Sequence, residues 1–559
     1  MAFLLRAKLS ELNPSDNGHK MAEWFEKLRL GDLPALAAKR YGEREALCYG
    51  DQRWNYAEFD AEVDRVARGL IGIGVAHGEH VALWMVNRPE WLFLMYATAK
   101  IGAVLVPLNT RYRTADVAYT VRQSDSATWI SMARSGPVDY LAMVRENLPD
   151  ISSEDRHADF PKLRRVVLLG DGPEPGMLSW DDLLAAGETI GEDDLARRAE
   201  AVDPDDVVII GYTSGTTGHP KGVMHSHVII RNVVDRINRF GITFSDSIIN
   251  NLPMFHLYGY SESAMLAILS GARQILMESF DAAETLRLVE AEGATIIHGF
   301  DTHYKDMLDC QARDKRDLSS LRFGTFPSGM QNSIPIARRS QLELAPTVSG
   351  WGMSETWAFT ACCHANSTEE QRCEASGFPM PGLEFRIVDP ADGRELPTGE
   401  QGELLVHGYQ VMKGYYNKPE ETAAAIDKEG WMHTGDTALI RPDGHIRFIG
   451  RFKDMLKVGG ENVSPAEVEA YLLELPEIDQ VAIVGYPDPR LAEVPVAFIV
   501  PSEGANVSLG QVAAHSKGNI ASYKIPRHII CVSELPMTPT GKVQKHKLRA
   551  QALRDISAD

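Results

Sequence analysis

Residues 211–222 read GYTSGTTGHPKG and combine four Gly, three Thr and one Ser with the cation of Lys221. They directly follow DVVII, an apolar run typical of a buried strand. Clustered Gly and Ser favour a flexible hairpin turn. The same residues also suit a phosphate cradle, because glycines let backbone N–H groups approach an anion while hydroxyls and an ammonium bind its oxygens. The spacing of Lys221 after Gly218 excludes a Walker A loop.

Outside this stretch, short apolar runs alternate with amphipathic segments along most of the chain. The runs include HVALWMV (80–86), ATIIHGF (294–300) and PVAFIV (495–500). In the segments 56–74 and 282–293, apolar residues recur at three- and four-residue spacing, as core-facing helices require. This alternation predicts an α/β fold with largely parallel sheets.

A change of pattern near residues 450–469 predicts a domain boundary. Before it the chain reads as strands and turns, and after it SPAEVE opens a helix. Ser464 suits the N-cap of this helix, Pro465 its first turn and Glu467 the capping-box position. A C-terminal unit of about a hundred residues is a plausible domain.

Composition and charge bound the class of protein. The 559 residues are 44% hydrophobic, enough for about three or four domain-sized units with large cores. A net charge of -20, from 77 acidic and 57 basic residues, argues against attraction to nucleic acid or anionic lipid. The six Cys show no metal-ligand spacing and indicate free thiols in a reducing compartment. Because no apolar run suits a signal peptide or a membrane span, we expect a soluble, cytoplasmic protein.

The opening stretch resembles the signature loop of the adenylate-forming superfamily, which includes acyl-CoA synthetases, stand-alone adenylation domains and luciferases. Further motifs of that superfamily follow in family order along most of the chain. They are WNYAEFD (54–60), AKIGAVLVPLNTRY (99–112), NLPMFHLYG (251–259), GWGMSET (350–356), GWMHTGD (430–436), GRFKDMLKVGGENVSPAEVE (450–469) and PMTPTGKVQK (536–545). On these ordered matches the chain is identified as a member, similar to the AMP-dependent acid:CoA ligases.

The resemblance implies a large N-terminal domain of stacked α/β sheets and a small, mobile α+β C-terminal domain. The expected bounds of the large domain, the hinge and the small domain are 1–450, 451–453 and 454–559. In the family the small domain rotates about the hinge, here Lys453, whose other reading is a solvated linker lysine. Rotation brings a CoA-binding face, Lys457 with Gly459 and Gly460, to the site. The two glycines would let a narrow thiol arm pass close to backbone, although a hairpin tip is the plainer reading.

By resemblance, Glu355 holds the Mg²⁺ that neutralises the triphosphate, and Ser354 contacts the α-phosphate. By the same resemblance, Asp436 accepts hydrogen bonds from both ribose hydroxyls, and Arg451 is the second residue that contacts the ribose. Mg²⁺ prefers one or two carboxylates with phosphate oxygens and water, so one carboxylate is enough. Composition alone would make these residues solvated or turn residues. The expected ATP- and AMP-binding residues are Thr213, Ser214, Gly215, Thr216, Thr217, Gly218, Lys221, Gly329, Gly350, Trp351, Gly352, Met353, Ser354, Asp436 and Arg451.

Lys542 lies in a basic tail and composition alone would make it one of several solvated lysines. The resemblance makes it catalytic. When a carboxylate attacks the α-phosphorus of ATP, negative charge gathers around one phosphorus, and a mobile ammonium placed there would stabilise it.

The resemblance also implies an acyl pocket beside His256. In the family this histidine is a catalytic gate between the acyl pocket and the tunnel for the thiol. From the sequence alone, His256 would instead be a buried aromatic side chain of the core. The pocket would draw on Gly299, Phe300, Asp301, Trp351 and Trp357. Trp351 replaces the usual Tyr, and two bulky indoles would disfavour long fatty acids. Asp301 could hydrogen-bond a polar group of the substrate or cap a helix. Gly329 comes from a stretch, FPSGM, that departs from the family pattern.

These residues together predict an acid–thiol ligase that uses ATP, Mg²⁺ and CoA on a short-chain, medium-chain or aryl carboxylic acid. We expect no nucleic-acid partner and no membrane span, and a homodimer could form. Two alternatives within the superfamily are loading of a carrier protein and luciferase-like oxidation of the adenylate. A non-catalytic nucleotide-binding protein is disfavoured, because Lys221, Glu355 and Lys542 are all present.

Overall fold

The computed structural model describes residues 27–149, 151, 159–170, 172–213, 220–330, 333–458, 461–517, 520–538 and 543–556, with the backbone alone at 453, 457, 461, 462 and 492. Its largest element is an eight-stranded sheet. The strand order is Gly414–Tyr415, Lys221–Ser226, Val207–Thr213, Val104–Pro107, His80–Trp84, Thr128–Met132, Arg165–Leu169 and Leu178–Ser179. All pairs are parallel except the first two, which are antiparallel.

A second, seven-stranded sheet lies in the same large domain. Its order is Thr347–Val348, Phe323–Thr325, Ile296–His298, Ser247–Asn250, Arg273–Leu276, Glu45–Tyr49 and Gln52–Asn55. All its pairs are parallel except the last. One continuous cluster of buried side chains includes Leu83 and Ile209 from the first sheet and Leu47 and Ile248 from the second. The two sheets therefore share a core.

Helices cover these sheets, as parallel strands require. In the large domain they span Leu33–Tyr41, Tyr56–Gly72, Pro89–Lys100, Thr114–Gln123, Tyr140–Asn147, Trp180–Gly187, Glu192–Glu200, Ile229–Phe240, Leu257–Gly259, Leu266–Ser270, Ala282–Glu292, Asp301–Arg313, Ile334–Glu343, Glu369–Glu374 and Pro419–Ala425. A π-helix, Tyr260–Met265, joins two of them. Short 3₁₀ turns span Leu30–Asp32, Ser354–Thr356, Phe452–Asp454 and Ser522–Lys524.

Smaller antiparallel sheets complete the large domain. A three-stranded sheet joins Gly350–Trp351, Ala361–Cys362 and Phe378–Pro379. A four-stranded sheet joins Leu383–Val388, Gly402–Gly408, Met432–Ile440 and Ile446–Arg451, and a ribbon pairs Arg134–Ser135 with Val138–Asp139. The GWGMSET segment contacts the strand Lys221–Ser226 through His225 and Ser354, and it contacts the GWMHTGD segment through Trp351 and Asp436.

The C-terminal part has its own sheet and its own two clusters of buried side chains. Its strands are Glu461–Val463, Leu456–Val458, Ala492–Pro501, Ile478–Asp488 and His528–Cys531, and its helices are Pro465–Leu472, Leu509–Ser516 and Lys545–Ile556. The large α/β part with a smaller C-terminal part confirms the fold class read from the sequence.

The strands and helices predicted from the sequence are confirmed, whereas the predicted capping contacts of the helix Pro465–Leu472 differ from the expectation. Each of the apolar runs HVALWMV, ATIIHGF and PVAFIV contains a strand, and the segments 56–74 and 282–293 are helices. Ser464 is the N-cap of Pro465–Leu472, yet its side chain makes no capping hydrogen bond within the described chain. Glu467 forms an ion pair with Lys524 instead. The six Cys are free thiols. Across the described ranges, no helix combines the length and apolar character needed to cross a membrane.

Candidate active site

The glycine-rich stretch connects two paired antiparallel strands. Val207–Thr213 and Lys221–Ser226 run together until Thr213 faces Lys221, where the Thr213 hydroxyl lies 3.5 Å from the Lys221 carbonyl oxygen. The two strands of the hairpin that the sequence favours are therefore paired up to Thr213 and Lys221. The predicted phosphate contacts Ser214, Gly215, Thr216, Thr217 and Gly218 lie outside the described residues, so the phosphate cradle stays a prediction.

Tyr415 links the cation at the end of this hairpin to the carboxylate of GWGMSET. The strand Gly414–Tyr415 pairs with Lys221–Ser226, which brings the Lys221 Nζ to 4.1 Å from the centre of the Tyr415 ring. The Tyr415 hydroxyl donates to Glu355 Oε1 at 2.8 Å. Burial, together with the Glu355 carboxylate, raises the pKa of Tyr415 above its usual value. One neutral side chain thus holds a cation on its face and a carboxylate at its tip.

Glu355 lies in the 3₁₀ turn Ser354–Thr356, where it is 9% exposed and its carbonyl accepts from the Met412 N–H at 2.8 Å. Among the described residues, no group of three or more His, Cys, Asp or Glu could hold a metal ion by itself. A site with one carboxylate suits Mg²⁺, which takes its remaining ligands from phosphate and water. The donor set at Glu355 therefore fits Mg²⁺ bound together with a nucleotide.

His225 also contacts the 3₁₀ turn Ser354–Thr356. Its Nε2–H donates to the Ser354 carbonyl at 2.7 Å, and its ring packs edge-on against Trp357 at 5.3 Å. Burial lowers the pKa of His225 to about 4, so the ring is neutral near neutral pH. The side chain therefore acts as a fixed neutral donor that positions Ser354 and Glu355.

Asp436 has the geometry of a buried diol acceptor. It is 2% exposed, its Oδ2 accepts from the Trp351 indole N–H at 3.0 Å, and its Oδ1 lies 2.9 Å from Arg451 Nε. Asp436 and Arg451 face each other across the strands Met432–Ile440 and Ile446–Arg451. The fourteen residues between them thus form the return of a hairpin, and the two residues predicted to contact the ribose do meet.

Two glycines of the predicted nucleotide site are required by space or backbone conformation. A Cβ on Gly352 would lie 1.5 Å from the Ala358 carbonyl oxygen. Gly329 has φ +115°, and its Cβ would lie 2.1 Å from Ser376 Oγ. A side chain at either position would displace the backbone of the site. Gly350 pairs with Cys362, and the Met353 carbonyl accepts from the Thr356 N–H.

Trp351 and Trp357 pack in different hydrophobic clusters. Trp351 lies with the four-stranded sheet, whereas Trp357 lies in the main core between His225 and Tyr260. Trp357 is fully buried at φ 67°, a conformation that is costly for a bulky side chain and that clusters at functional sites. Trp351 therefore lies beside Asp436 through its hydrogen bond, and Trp357 packs against Tyr260, the residue that follows the predicted acyl segment NLPMFHLYG.

The predicted acyl segment brings together three aromatic side chains, His256, Tyr258 and Phe300, which are called the aromatic box below. The His256 ring lies edge-on to Phe300 at 5.9 Å, and Tyr258 packs against Phe300 at 5.1 Å. His256 Nδ1 accepts from the Tyr258 N–H at 3.2 Å. The Gly299 N–H donates to the Thr325 carbonyl. The predicted residues Gly299, Phe300 and His256 are therefore brought together.

Asp301 is the first residue of the helix Asp301–Arg313, and Phe300 is its N-cap. Its Oδ1 accepts from the Thr302 N–H at 2.9 Å. The expected helix-capping role is thus corrected by one position, because the carboxylate satisfies an N–H of the first turn from inside the helix.

Of the five residues predicted for the hinge and the small domain, three lie outside the described residues and two are described through backbone alone. The strands Leu456–Val458 and Glu461–Val463 pair antiparallel, and the predicted residues Gly459 and Gly460 lie outside the described residues. Lys542 also lies outside the described residues, and a bridge pairs Met537 with Val543 among the described residues around it. Lys453 and Lys457 are described through backbone alone, in Phe452–Asp454 and Leu456–Val458.

Sequence reasoning missed two residues of this site, Tyr415 and His225. Tyr415 precedes Asn417 and Pro419, which indicate only a turn. His225 lies in a strand and its acceptor is a backbone carbonyl far along the chain. No local pattern marks such contacts.

Comparison with known proteins gives two matching family models. The model described as AMP-binding enzyme matches residues 35–416, and the one described as AMP-binding enzyme C-terminal domain matches residues 467–542. The putative acyl-CoA synthetase YngI of Bacillus subtilis (strain 168) is 36% identical over 532 residues, which are 94% of this chain and 97% of that protein.

A second relative and a solved structure agree with this. The mitochondrial medium-chain acyl-CoA ligase ACSF2 of Danio rerio is 32% identical over 93% of this chain and 87% of its own length. The crystal structure of the anthranilate CoA ligase AuaEII in complex with anthranoyl-AMP superposes with a TM-score of 0.83 at 28% identity, over 96% of this chain and 99% of that one.

The buried neutral state of His225 predicts a pH dependence of stability. Its folded pKa of about 4 lies below the ordinary value of 6.5, so the unfolded chain binds a proton that the folded chain does not. Stability from this group is complete above pH 6.5 and is lost as the pH falls toward 4. His225→Gln keeps a donor for Ser354 and should reduce the acid slope of the unfolding free energy by up to about 1.4 kcal/mol per pH unit.

The measurement is urea denaturation of both proteins across this pH range, followed by circular dichroism. His546→Gln, which changes an exposed histidine of the helix Lys545–Ile556, is the matched control. Parallel curves for His225→Gln and the unchanged protein would contradict the assignment.

Proposed function

The chain belongs to the AMP-binding enzyme family, and we propose how its residues turn a carboxylic acid, ATP and CoA into an acyl-CoA. It is an AMP-forming acid–thiol ligase: an acid is activated to acyl-AMP with release of pyrophosphate, and the acyl group then passes to the thiol of CoA. Each of these two steps requires particular side chains of this chain.

The observation that carries the assignment is the contact of Tyr415 with both Lys221 and Glu355. Lys221 would bind phosphate oxygens as a point charge, and Glu355 would hold Mg²⁺ against the same phosphates. When bound, Mg²⁺ neutralises charge on the polyphosphate. Asp436 and Arg451 would bind the ribose, since a carboxylate can accept from both hydroxyls of a diol.

In the first step an oxygen of the acid attacks the α-phosphorus, and the bond to the bridging oxygen of pyrophosphate breaks. Two anions meet in this step, so a cation aimed at the developing charge lowers the barrier most. We assign this role to Lys542. In the second step the CoA sulfur attacks the acyl carbon and AMP leaves, with His256 at the gate between the two substrates.

The two steps need different groups at one place, which is the argument for a moving small domain. Asp454 binds Arg549 of the C-terminal helix at 3.1 Å, so the chain after residue 453 is tied to the small domain. Lys305 of the large domain pairs with Asp479 at 3.0 Å, but the two side chains are 39% and 44% exposed. An exposed pair is worth about 1 kcal/mol or less and would not lock the domains together. This supports a hinge at 451–453 about Lys453, with Lys457, Gly459 and Gly460 presented to CoA.

For the acid we propose a short-chain, medium-chain or aryl carboxylate. The fully buried Trp357 and the aromatic box around His256 and Phe300 leave the acyl side lined by bulky rings. The names of the relatives mention medium-chain acids and anthranilate, which are of this size. A carrier protein as acceptor, a homodimer and a cytoplasmic location stay predictions.

A panel of carboxylic acids tests the function: short, branched, medium-chain and aryl acids, each with ATP and with or without CoA. We expect pyrophosphate release that requires one class of acid, and thioester only when CoA is added. Lys542→Ala should slow acyl-AMP formation by about a hundredfold or more while ATP still binds, because its charge acts mainly in the transition state.

Lys547→Ala, which removes an exposed lysine of the same tail, is the matched control and should retain full activity. Pyrophosphate release that never depends on added acid would contradict the ligase function. Equal rates for the two variants would contradict the role of Lys542.

The hinge predicts that Lys453→Pro separates the two steps. Proline fixes φ near about -65° and removes the rotation that the small domain needs. Pyrophosphate release in a single turnover should persist, whereas thioester formation should slow by at least about tenfold. Lys453→Ala keeps the backbone free and should resemble the unchanged enzyme in both steps. Equal losses of both steps in Lys453→Pro would argue against rotation about this residue.

A further inference from the structure

A fully buried ion pair lies behind the aromatic box of the acyl site. Arg236 donates to Glu262 Oε1 and to the Ser261 hydroxyl, and all three side chains have no exposed surface. The Arg236 guanidinium lies 5.7 Å from the centre of the Phe359 ring. Phe359 packs against Tyr258, which packs against Phe300. Two packed rings, Phe359 and Tyr258, therefore connect the Arg236 guanidinium to Phe300, which is assigned to the acyl pocket.

The hydrogen bonding of this pair is incomplete. Within the described part of the chain, Arg236 Nε and Glu262 Oε2 are buried without a hydrogen-bond partner. Burial raises the pKa of Glu262 to about 7 against the opposing effect of Arg236. Each unpaired buried polar atom costs free energy, and native proteins carry few of them without a reason.

The backbone that carries Glu262 is also unusual. Tyr260–Met265 is a π-helix that directly follows Leu257–Gly259 of the acyl motif. π-helical turns are rare and occur frequently at functional sites. Beside it, Tyr258 and His298 are both hydrogen-bonded to the Thr325 hydroxyl, at 2.6 and 2.7 Å. A polar layer thus continues under Gly299 and Phe300.

Stability does not account for this arrangement. A buried ion pair is often no more stabilising than apolar side chains of the same size, because desolvation offsets the attraction. A spare N–H donor and a spare carboxylate oxygen on one pair can bind a neutral group that both accepts and donates. A second carboxylate would meet Glu262, and a plain alkyl end would leave both atoms unpaired.

We propose that Arg236 and Glu262 form a polar floor of the acyl pocket, and that the acid substrate carries a neutral hydroxyl group at its far end. The hydroxyl would accept from Arg236 Nε–H and donate to Glu262 Oε2. This inference rests on the proposed ligase function and names its substrate class.

The test uses matched pairs of acids, straight-chain and aryl, in which one member carries a hydroxyl at a successive position and the other lacks it. The purified enzyme is assayed for acid-dependent pyrophosphate release with ATP and CoA. For the best pair we expect kcat/KM to favour the oxygenated acid by at least about tenfold, because a site built to pair a hydroxyl rejects the analogue without it. Equal values for every pair would overturn the proposal.

The double variant Arg236→Met with Glu262→Leu replaces the floor by apolar side chains of similar size. Its preference ratio should fall at least about tenfold toward the acid without oxygen. The control is Lys100→Met with Asp64→Leu, which removes an ion pair between the helices Pro89–Lys100 and Tyr56–Gly72 and should keep the preference. A preference unchanged in the floor variant would also overturn the proposal.

The experiment distinguishes failure of the proposed polar floor from failure of the proposed ligase function. Acid-dependent release that favours unsubstituted acids contradicts the polar floor but leaves the ligase function intact. Release without dependence on any acid contradicts both. If the floor variant does not fold, as judged by its Tm and circular dichroism, the ratio measured for the unchanged enzyme decides alone.

Discussion

The site depends on one side chain, Tyr415, which carries the Lys221 ammonium on its ring and donates its hydroxyl to Glu355. Three segments far apart in sequence are thereby fixed relative to one another before a ligand arrives. Such preorganisation matters because two anions must be brought together on one phosphorus, and a site that had to assemble its charges during the reaction would lose their effect. The antiparallel pairing of Gly414–Tyr415 with Lys221–Ser226 makes this contact possible.

The same principle recurs around it. His225 holds the Ser354 turn as a neutral donor, and Trp351 and Arg451 hold the carboxylate of Asp436. These contacts all lie where the parallel sheet meets the antiparallel sheets. The segment proposed for the acyl side is built differently, from packed rings with a buried ion pair behind them. A rigid nucleotide site would support activation of many acids. The incomplete hydrogen bonding of Arg236 and Glu262 on the acyl side would then select the acid that this chain uses.

The fold and the nucleotide segments were predictable from the sequence because their signals are local. Apolar runs, helix periodicity and the order of motifs predict the architecture, and a hairpin with fourteen intervening residues brings Asp436 to Arg451. Tyr415, His225 and the Arg236–Glu262 pair were not predictable, since each contact depends on long-range packing. Asp301 and Ser464 show the limit of local rules: both stand at helix starts as expected, yet the capping contacts differ from the pattern.

Because the account rests on Tyr415, the most direct measurement is acid-dependent ATP–pyrophosphate exchange by Tyr415→Phe beside Tyr416→Phe. Tyr415→Phe keeps the ring under Lys221 but loses the hydroxyl bond to a buried carboxylate, worth about 1.5–3 kcal/mol. Tyr416 donates instead to Asp125 at 3.0 Å. The account predicts at least about a tenfold loss of exchange for Tyr415→Phe and little change for Tyr416→Phe. Undiminished exchange by Tyr415→Phe would contradict it.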